Sequence, residues 1–152
     1  MSNSAFTVSG TASLTGSVVQ VIYNNGAGSA TSSTTAVDIT GSSTTITPTS
    51  ASNKILVWAT WYNDVGAIVA QATSGYFQCV RTSTIIGGTP YALVGALLSS
   101  GSCVTDSASG YIYVDNPATT SATTYKFQHY GSANAPTITT SNMNIVLMEI
   151  VA

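Results

Sequence analysis

The chain has 152 residues, the size of one typical domain, and carries only three Lys or Arg and five Asp or Glu side chains. Charged residues make up 5% of it, against roughly 25% in an ordinary soluble domain. With a net charge of −2 it has no excess of basic side chains, so binding to nucleic acid or to an anionic membrane is disfavoured.

Residues 1–17 predict an arm or an extended lead-in. Phe6, Val8 and Leu14 are their sizeable apolar side chains, and neither helical spacing nor sustained alternation connects them. A disordered terminus is an equally good interpretation of the first ten residues. We expect residues 18–152 to form one domain.

The first strand of that domain is predicted at residues 18–23 (VVQVIY). The Asn-Gly content of residues 24–28 then predicts a turn or loop. Two short strands, 36–40 and 44–47, follow on either side of Gly41.

Residues 54–62 (KILVWATWY) predict the central strand, nine residues without Gly or Pro. Both of its faces are largely apolar, whereas an antiparallel strand with one solvated face alternates apolar and polar residues. We therefore expect it to be covered on both sides, by a second sheet of the domain and by another copy of the chain.

The second half of the chain predicts a further series of strands. Their ranges are 75–82, 91–98, 111–114, 124–130 and 144–150, with a turn at 85–90 (IIGGTP). Strand 144–150 again fails to alternate, so we place it beside the central strand with both faces buried. About eight or nine short strands with turn signals between them, and no sustained helical periodicity, indicate an all-β fold, an antiparallel β-sandwich or jelly roll.

Apolar runs in the chain are short. The longest have five or six residues, such as 55–59 and 65–70, whereas a membrane-spanning helix needs about 20. Residues 1–10 have no basic start and no apolar block, so no signal peptide is predicted. We expect synthesis in a cytosol and no membrane partner.

His129 is the only histidine, and no cysteine or carboxylate lies at ligand spacing from it. We interpret it as a hydrogen-bonded strand residue, with a pH-sensitive group at a subunit contact as the alternative. The acidic residues are scattered and no G-x-S-x-G motif occurs. No enzymatic activity, metal or cofactor is therefore predicted.

The two cysteines, Cys79 and Cys103, allow one disulfide. Cytosolic synthesis favours free thiols, with a bridge as the alternative. The aromatic side chains also allow two interpretations, a carbohydrate-stacking surface or a core and subunit interface. Their mid-strand positions favour an interface for Trp58 and Trp61 and leave the question open for Tyr111 and Tyr113.

Three stretches carry a resemblance to a known family. Residues 46–57 (ITPTSASNKILV) are similar to a signature of ITP, a Ser/Thr-rich turn and KILV, and residues 115–126 (DNPATTSATTYK) to a D-x-PATTSATTYK signature. Residues 146–150 match a closing V-x-MEI. Together they resemble the short, Ser/Thr-rich virion surface proteins of tailed bacteriophages, over about residues 18–152. The resemblance implies a jelly-roll-like fold and a homotrimer, and its motifs describe fold rather than function.

Two roles are implied by this resemblance. The first is a capsid decoration (cement) protein that binds the major capsid protein and stabilises the phage head; the alternative is the receptor-binding tip of a tail fibre or spike, which would contact a host glycan. A chain that starts at Met1 without a shaft favours the cement role. Under it we expect synthesis in the bacterial cytoplasm and a final location on the virion surface.

The residues expected to serve that role form two sets. Candidate subunit-interface residues are Leu56, Trp58, Trp61, Tyr62, Tyr111, Tyr113, Val146 and Met148. Candidate capsid contacts are Phe6, Val8 and Leu14.

Overall fold

The structure, a computed structural model, describes residues 15–67, 73–96 and 103–152. That part of the chain contains nine β-strands and no helix. In chain order they are β1 (Val18–Thr31), β2 (Val37–Asp38), β3 (Thr44–Ile46), β4 (Lys54–Ala67), β5 (Thr73–Arg81), β6 (Thr84–Ala96), β7 (Cys103–Asp115), β8 (Thr123–Gly131) and β9 (Thr137–Ile150).

The strands form two antiparallel sheets. The four-stranded sheet has the order β1-β9-β4-β7; the five-stranded sheet has the order β2-β8-β5-β6, with β3 also paired to β8. The two sheets pack face to face as a β-sandwich, which confirms the predicted all-β class. The closing strand β9 lies between β1 and β4, so its predicted position beside the central strand is also confirmed.

Side-chain alternation places the core between the sheets. On β4 the inward residues Ile55, Val57 and Ala59 are buried, and on β9 so are Ile145 and Leu147. Phe77, Tyr125 and Phe127 of the five-stranded sheet close the core from the other side. Full burial of an aliphatic or aromatic side chain contributes about 1.5–3 kcal/mol, so this layer holds the sheets together.

Two turn predictions were wrong because glycines were accommodated inside strands. Residues 24–28 continue β1, and the register against β9 shifts on both sides of Ala27, next to Gly26 with φ +79°. A left-handed glycine inside a strand produces a β-bulge as readily as a turn. Residues 85–90 likewise belong to β6, and the chain turns earlier, at Thr82, whose φ is +54°.

Candidate functional site

Eight apolar side chains lie together on the outer face of the four-stranded sheet, and we call this set the apolar face. The strand register aligns them in two adjacent rows, Val21–Met148–Leu56–Val114 and Tyr23–Val146–Trp58–Ile112. Each row crosses all four strands, so the apolar face extends from one edge of the sheet to the other.

Much of the apolar face is in contact with solvent. Ile112 is 69% exposed, Tyr23 60% and Trp58 46%. None of the eight side chains is charged, and the row that follows, Asn25–Asn144–Thr60–Gly110, is polar or small. A contiguous uncharged apolar surface of this extent is typical of an interaction site.

Four of the predicted interface residues belong to the apolar face: Leu56, Trp58, Val146 and Met148. Tyr62 is exposed on the same outer side of β4, beyond Thr60.

The other three predicted interface residues point elsewhere. Trp61 lies in the core, its ring stacked on Phe77 at a centroid distance of 4.4 Å. It therefore contributes to the domain interior and not to the apolar face. Tyr111 and Tyr113 occupy the inner side of β7, where the Tyr111 ring meets Phe127 edge-on and its hydroxyl donates to the Ile86 carbonyl.

The apolar face also contains four residues that the sequence analysis did not select: Val21, Tyr23, Ile112 and Val114. A signal for them exists, since residues 18–23 and 111–114 also carry apolar side chains on both sides of their strands. What the sequence lacks is the pairing that puts these strands in one sheet with β4. The predicted capsid contacts Phe6, Val8 and Leu14 lie outside the described residues.

Two of the three family-like stretches, residues 46–57 and 146–150, meet at Glu149, which is buried in the four-stranded sheet. Its carboxylate accepts hydrogen bonds from the Thr49 amide (2.7 Å) and hydroxyl (2.8 Å), from Asn53 Nδ2 (2.7 Å) and from Gln20 Nε2 (2.6 Å). Burial opposes the charge, but these four donors outweigh it and lower the pKa of Glu149 to about 2. Thr49 and Asn53 of the first signature thus hold the closing MEI segment in place.

Asp115 of the second signature has a similar structural role. Arg81 Nη1 contacts its two carboxylate oxygens at 2.9 and 2.8 Å, and the Tyr125 hydroxyl donates to Oδ2 at 2.7 Å. Burial raises the pKa of Tyr125, and its hydrogen bond to Asp115 raises it further. Because Asp115 ends β7 while its partners lie on β5 and β8, the cluster ties the two sheets together.

His129 is fully buried on β8, and hydroxyl groups contact both of its ring nitrogens. Thr140 Oγ1 lies 2.9 Å from Nδ1 and Ser29 Oγ lies 3.4 Å from Nε2, so each ring nitrogen has a hydroxyl partner and the neutral ring can be satisfied without solvent. Burial lowers the pKa of His129 to about 4, and the residue lies in the interior rather than at a subunit contact.

Cys79 is a free, buried thiol. Burial raises its pKa to about 12, so it is protonated and unreactive at neutral pH. The side chain of Cys103 lies outside the described part of the structure. Among the described residues, no group of three or more His, Cys, Asp or Glu side chains is placed to hold a metal ion.

The outer face of the five-stranded sheet is polar, and we call it the polar face. Gln78 and Gln128 are hydrogen-bonded at 2.6 Å, and Gln128 also donates to Asp38. Next to this ladder the rings of Tyr76 and Tyr130 stack at a centroid distance of 5.0 Å. The two outer faces of the sandwich therefore differ sharply in chemistry.

A membrane-crossing helix is not found in the described ranges. No protein-family model matches the chain, and no curated protein matches it either.

Proposed function

We propose that the protein is a structural virion protein that assembles as a homotrimer with a jelly-roll-like fold and decorates the head of a tailed bacteriophage. The observation that carries the assembly is the apolar face, which a lone copy leaves in water. The phage setting and the trimeric state come from the resemblance of residues 46–57, 115–126 and 146–150.

The extent of the apolar face supports a second copy of the chain as its cover. Its five most exposed side chains are Val21, Tyr23, Trp58, Ile112 and Val114, each close to or above half exposed. Together they offer on the order of 600 Å², close to the ~800 Å² that each partner contributes to a standard interface. Because the face has no charge, its natural complement is another uncharged apolar surface, such as the same face on a sister chain.

The proposed mechanism is adhesion without chemistry. Three copies pack their apolar faces around a common axis and bind the major capsid protein with surfaces that stay outside this contact. Each bound trimer then bridges neighbouring capsomers and stabilises the shell against the pressure of packaged DNA. A low number of charges helps, because burying an unpaired charge in such contacts is costly.

Reconstitution on phage heads tests the role. Heads lacking the protein are mixed with the purified chain and sedimented, and bound copies are counted by gel densitometry against the major capsid protein. Decoration predicts saturable binding at a copy number comparable to that of the shell subunits, and higher resistance of the heads to heating. Absence of binding, or a copy number typical of a tail part, would contradict it.

The second candidate function is the receptor-binding tip, and one feature of the polar face favours it. The stacked rings of Tyr76 and Tyr130 lie beside the amides of Gln78 and Gln128, and aromatic faces with nearby amides suit sugar rings. Binding of host-surface glycan that is lost in Tyr130→Ala, together with a low copy number in virions, would favour this role over decoration.

A further inference from the structure

A ridge and a hollow lie side by side on the outer side of the four-stranded sheet. The ridge consists of Trp58 on β4 and Ile112 on β7, paired across the two strands. Ile112 is the most exposed large apolar side chain in the described part of the molecule. These two residues form the centre and one edge of the apolar face.

The hollow begins one row further along the same strands. It measures about 470 Å³, and its lining includes Thr60, Tyr62, Ala108, Gly110 and Asn142. The floor is low because β7 presents only Gly110 and Ala108 there, opposite Thr60 and Tyr62. Two residues of strand span roughly 7 Å, so ridge and hollow are immediate neighbours.

Gly110 at this floor is not required by the fold of a single chain. Its pairing with β4 lies in a continuous register without a bulge, and its φ is not in the left-handed region. An added Cβ would lie 3.5 Å from the Ala59 carbonyl oxygen and 4.0 Å from Thr60 Cγ2, which are ordinary contacts. By contrast, a Cβ on Gly28 would meet the Thr140 carbonyl oxygen at 2.6 Å, so that glycine is needed for internal packing.

A glycine inside a strand costs roughly 0.5–1 kcal/mol relative to alanine. Neither a bulge nor internal crowding explains Gly110, and a strand glycine is one of the places where another molecule can approach the backbone closely. The hollow above Gly110 is open, uncharged and continuous with the apolar face. These properties fit a large apolar side chain from outside the chain.

We propose that the hollow receives the Trp58–Ile112 ridge of a second copy, an inference that rests on the self-association proposed above. In a closed symmetric assembly every copy presents the same surfaces, so each ridge finds a hollow and each hollow is filled. Anchors of this kind, large side chains seated in a pocket on the partner, contribute most of the binding energy in protein interfaces.

Filling the hollow tests this directly. Gly110→Leu adds apolar surface but occupies the space, so we expect the dissociation constant of the assembly to rise at least tenfold, with an unchanged circular dichroism spectrum. The matched control is Gly66→Leu on the outer side of β4. An added Cβ there would lie 3.7 Å from the Thr137 carbonyl oxygen. Gly66 does not line the hollow, and that variant should assemble like the parent.

Engineered disulfides supply a second measurement that does not depend on the tolerance of Gly110→Leu. In a Cys103→Ser background, Ile112→Cys chains are mixed with Ala108→Cys chains and oxidised. Each chain carries only one of the two engineered cysteines, so a bridge between positions 112 and 108 must join two copies. The mixture should give covalent dimers in higher yield than either variant alone.

The outcomes separate this inference from the proposed function. Parent-like assembly of Gly110→Leu, or no excess of mixed dimers, would overturn the hollow as the docking place while leaving self-association intact. Loss of head binding alone, with assembly unchanged, would assign the hollow to a different partner and also overturn the inference. A parent chain that never associates would overturn the proposed function itself.

Discussion

On the outer side of the four-stranded sheet, eight apolar side chains lie in two rows. The described outer side of the five-stranded sheet presents mainly amides, hydroxyls and a Lys–Asp ion pair, with Val80 and the exposed Ile85 paired at one end. Both sheets contribute alternating apolar residues to one shared core, so the inner faces do not distinguish them. The difference lies outside, and it indicates which side of the sandwich is suited to solvent and which to a protein partner.

The polar face satisfies its own hydrogen-bonding groups. Lys126 Nζ contacts Asp38 at 2.8 Å, and Gln128 donates to the same carboxylate at 2.6 Å. These bonds, that of Lys126 first, lower the pKa of Asp38. Within the described ranges the apolar face has no comparable cover, since its side chains point away from the five-stranded sheet. We infer that a single copy satisfies the polar face in water, whereas the apolar face is left to a partner.

The largest expected effect comes from placing a charge on the apolar face. Trp58→Asp should raise the dissociation constant of the assembly by roughly a hundredfold or more, because loss of a central aromatic anchor alone costs about 2 kcal/mol or more and the new charge is buried unpaired. Analytical ultracentrifugation measures it. The matched change on the polar face, Tyr76→Asp, should leave assembly unchanged. An equal rise of the dissociation constant in Tyr76→Asp would contradict the assignment of the apolar face as the contact surface.

A second test compares the stability lost when a buried carboxylate and an exposed carboxylate are removed. Glu149→Ala removes an acceptor on which four hydrogen bonds converge, so we expect a loss of about 3 kcal/mol in the free energy of unfolding. Asp38→Ala on the polar face should cost less than about 1 kcal/mol, because exposed ion pairs contribute little. Urea unfolding of both variants measures the difference, and similar losses would contradict our placement of Glu149.

The pH dependence of stability follows from His129 and Glu149. The pKa of His129 is about 4 in the folded chain, below the roughly 6.5 of an unfolded histidine. The unfolded state therefore binds more protons between these values, and stability that is complete above pH 6.5 falls by about 3 kcal/mol on the way to pH 4.

Glu149 adds a second loss at lower pH. Its folded pKa of about 2 lies below the usual 4.5, so its stabilisation is present above pH 4.5 and lost as the pH approaches 2. In thermal melts, His129→Gln should reduce the fall of the melting temperature between pH 6.5 and 4. The fall at lower pH, which comes from Glu149, should be unchanged. A melting temperature independent of pH from 7 to 4 in the parent would refute the His129 assignment.

The smallest expected effect concerns the tyrosine pair of the polar face. A double-mutant cycle of Tyr76→Ala and Tyr130→Ala should give a coupling energy of about 0.5–1.5 kcal/mol, typical of stacked aromatic side chains. Unfolding by denaturant yields it, and assembly should be parent-like in all three variants. A coupling near zero would mean that the stacking at 5.0 Å does not persist in solution.

The sequence predicted the elements that alternation and length specify. The all-β class followed from short strands separated by turn signals without helical periodicity. The central strand and the position of 144–150 beside it followed from apolar residues on both faces of those segments. Trp61 was misplaced for the same reason. When both faces of a strand are apolar, periodicity does not say which one meets the core. The packing of the second sheet decides it: Trp61 stacks on Phe77 and points inward, and Trp58 points outward.

Other features depended on contacts between distant parts of the chain. The Glu149 cluster joins residues 20, 49, 53 and 149, and no local spacing links them. Residues 24–28 were interpreted as a turn or loop from their Asn-Gly content. The left-handed conformation of Gly26 serves turns and bulges alike, and the choice depends on whether β9 is present to continue the pairing. The hollow at Gly110 also required the register between β4 and β7.

The mass of the purified chain in solution tests the central claim most directly, namely that the apolar face is covered by sister copies. Native mass spectrometry at micromolar concentration should show a species of three 15.5 kDa subunits and little monomer. A stable 15.5 kDa monomer with Trp58 fluorescence typical of a solvated indole would contradict it.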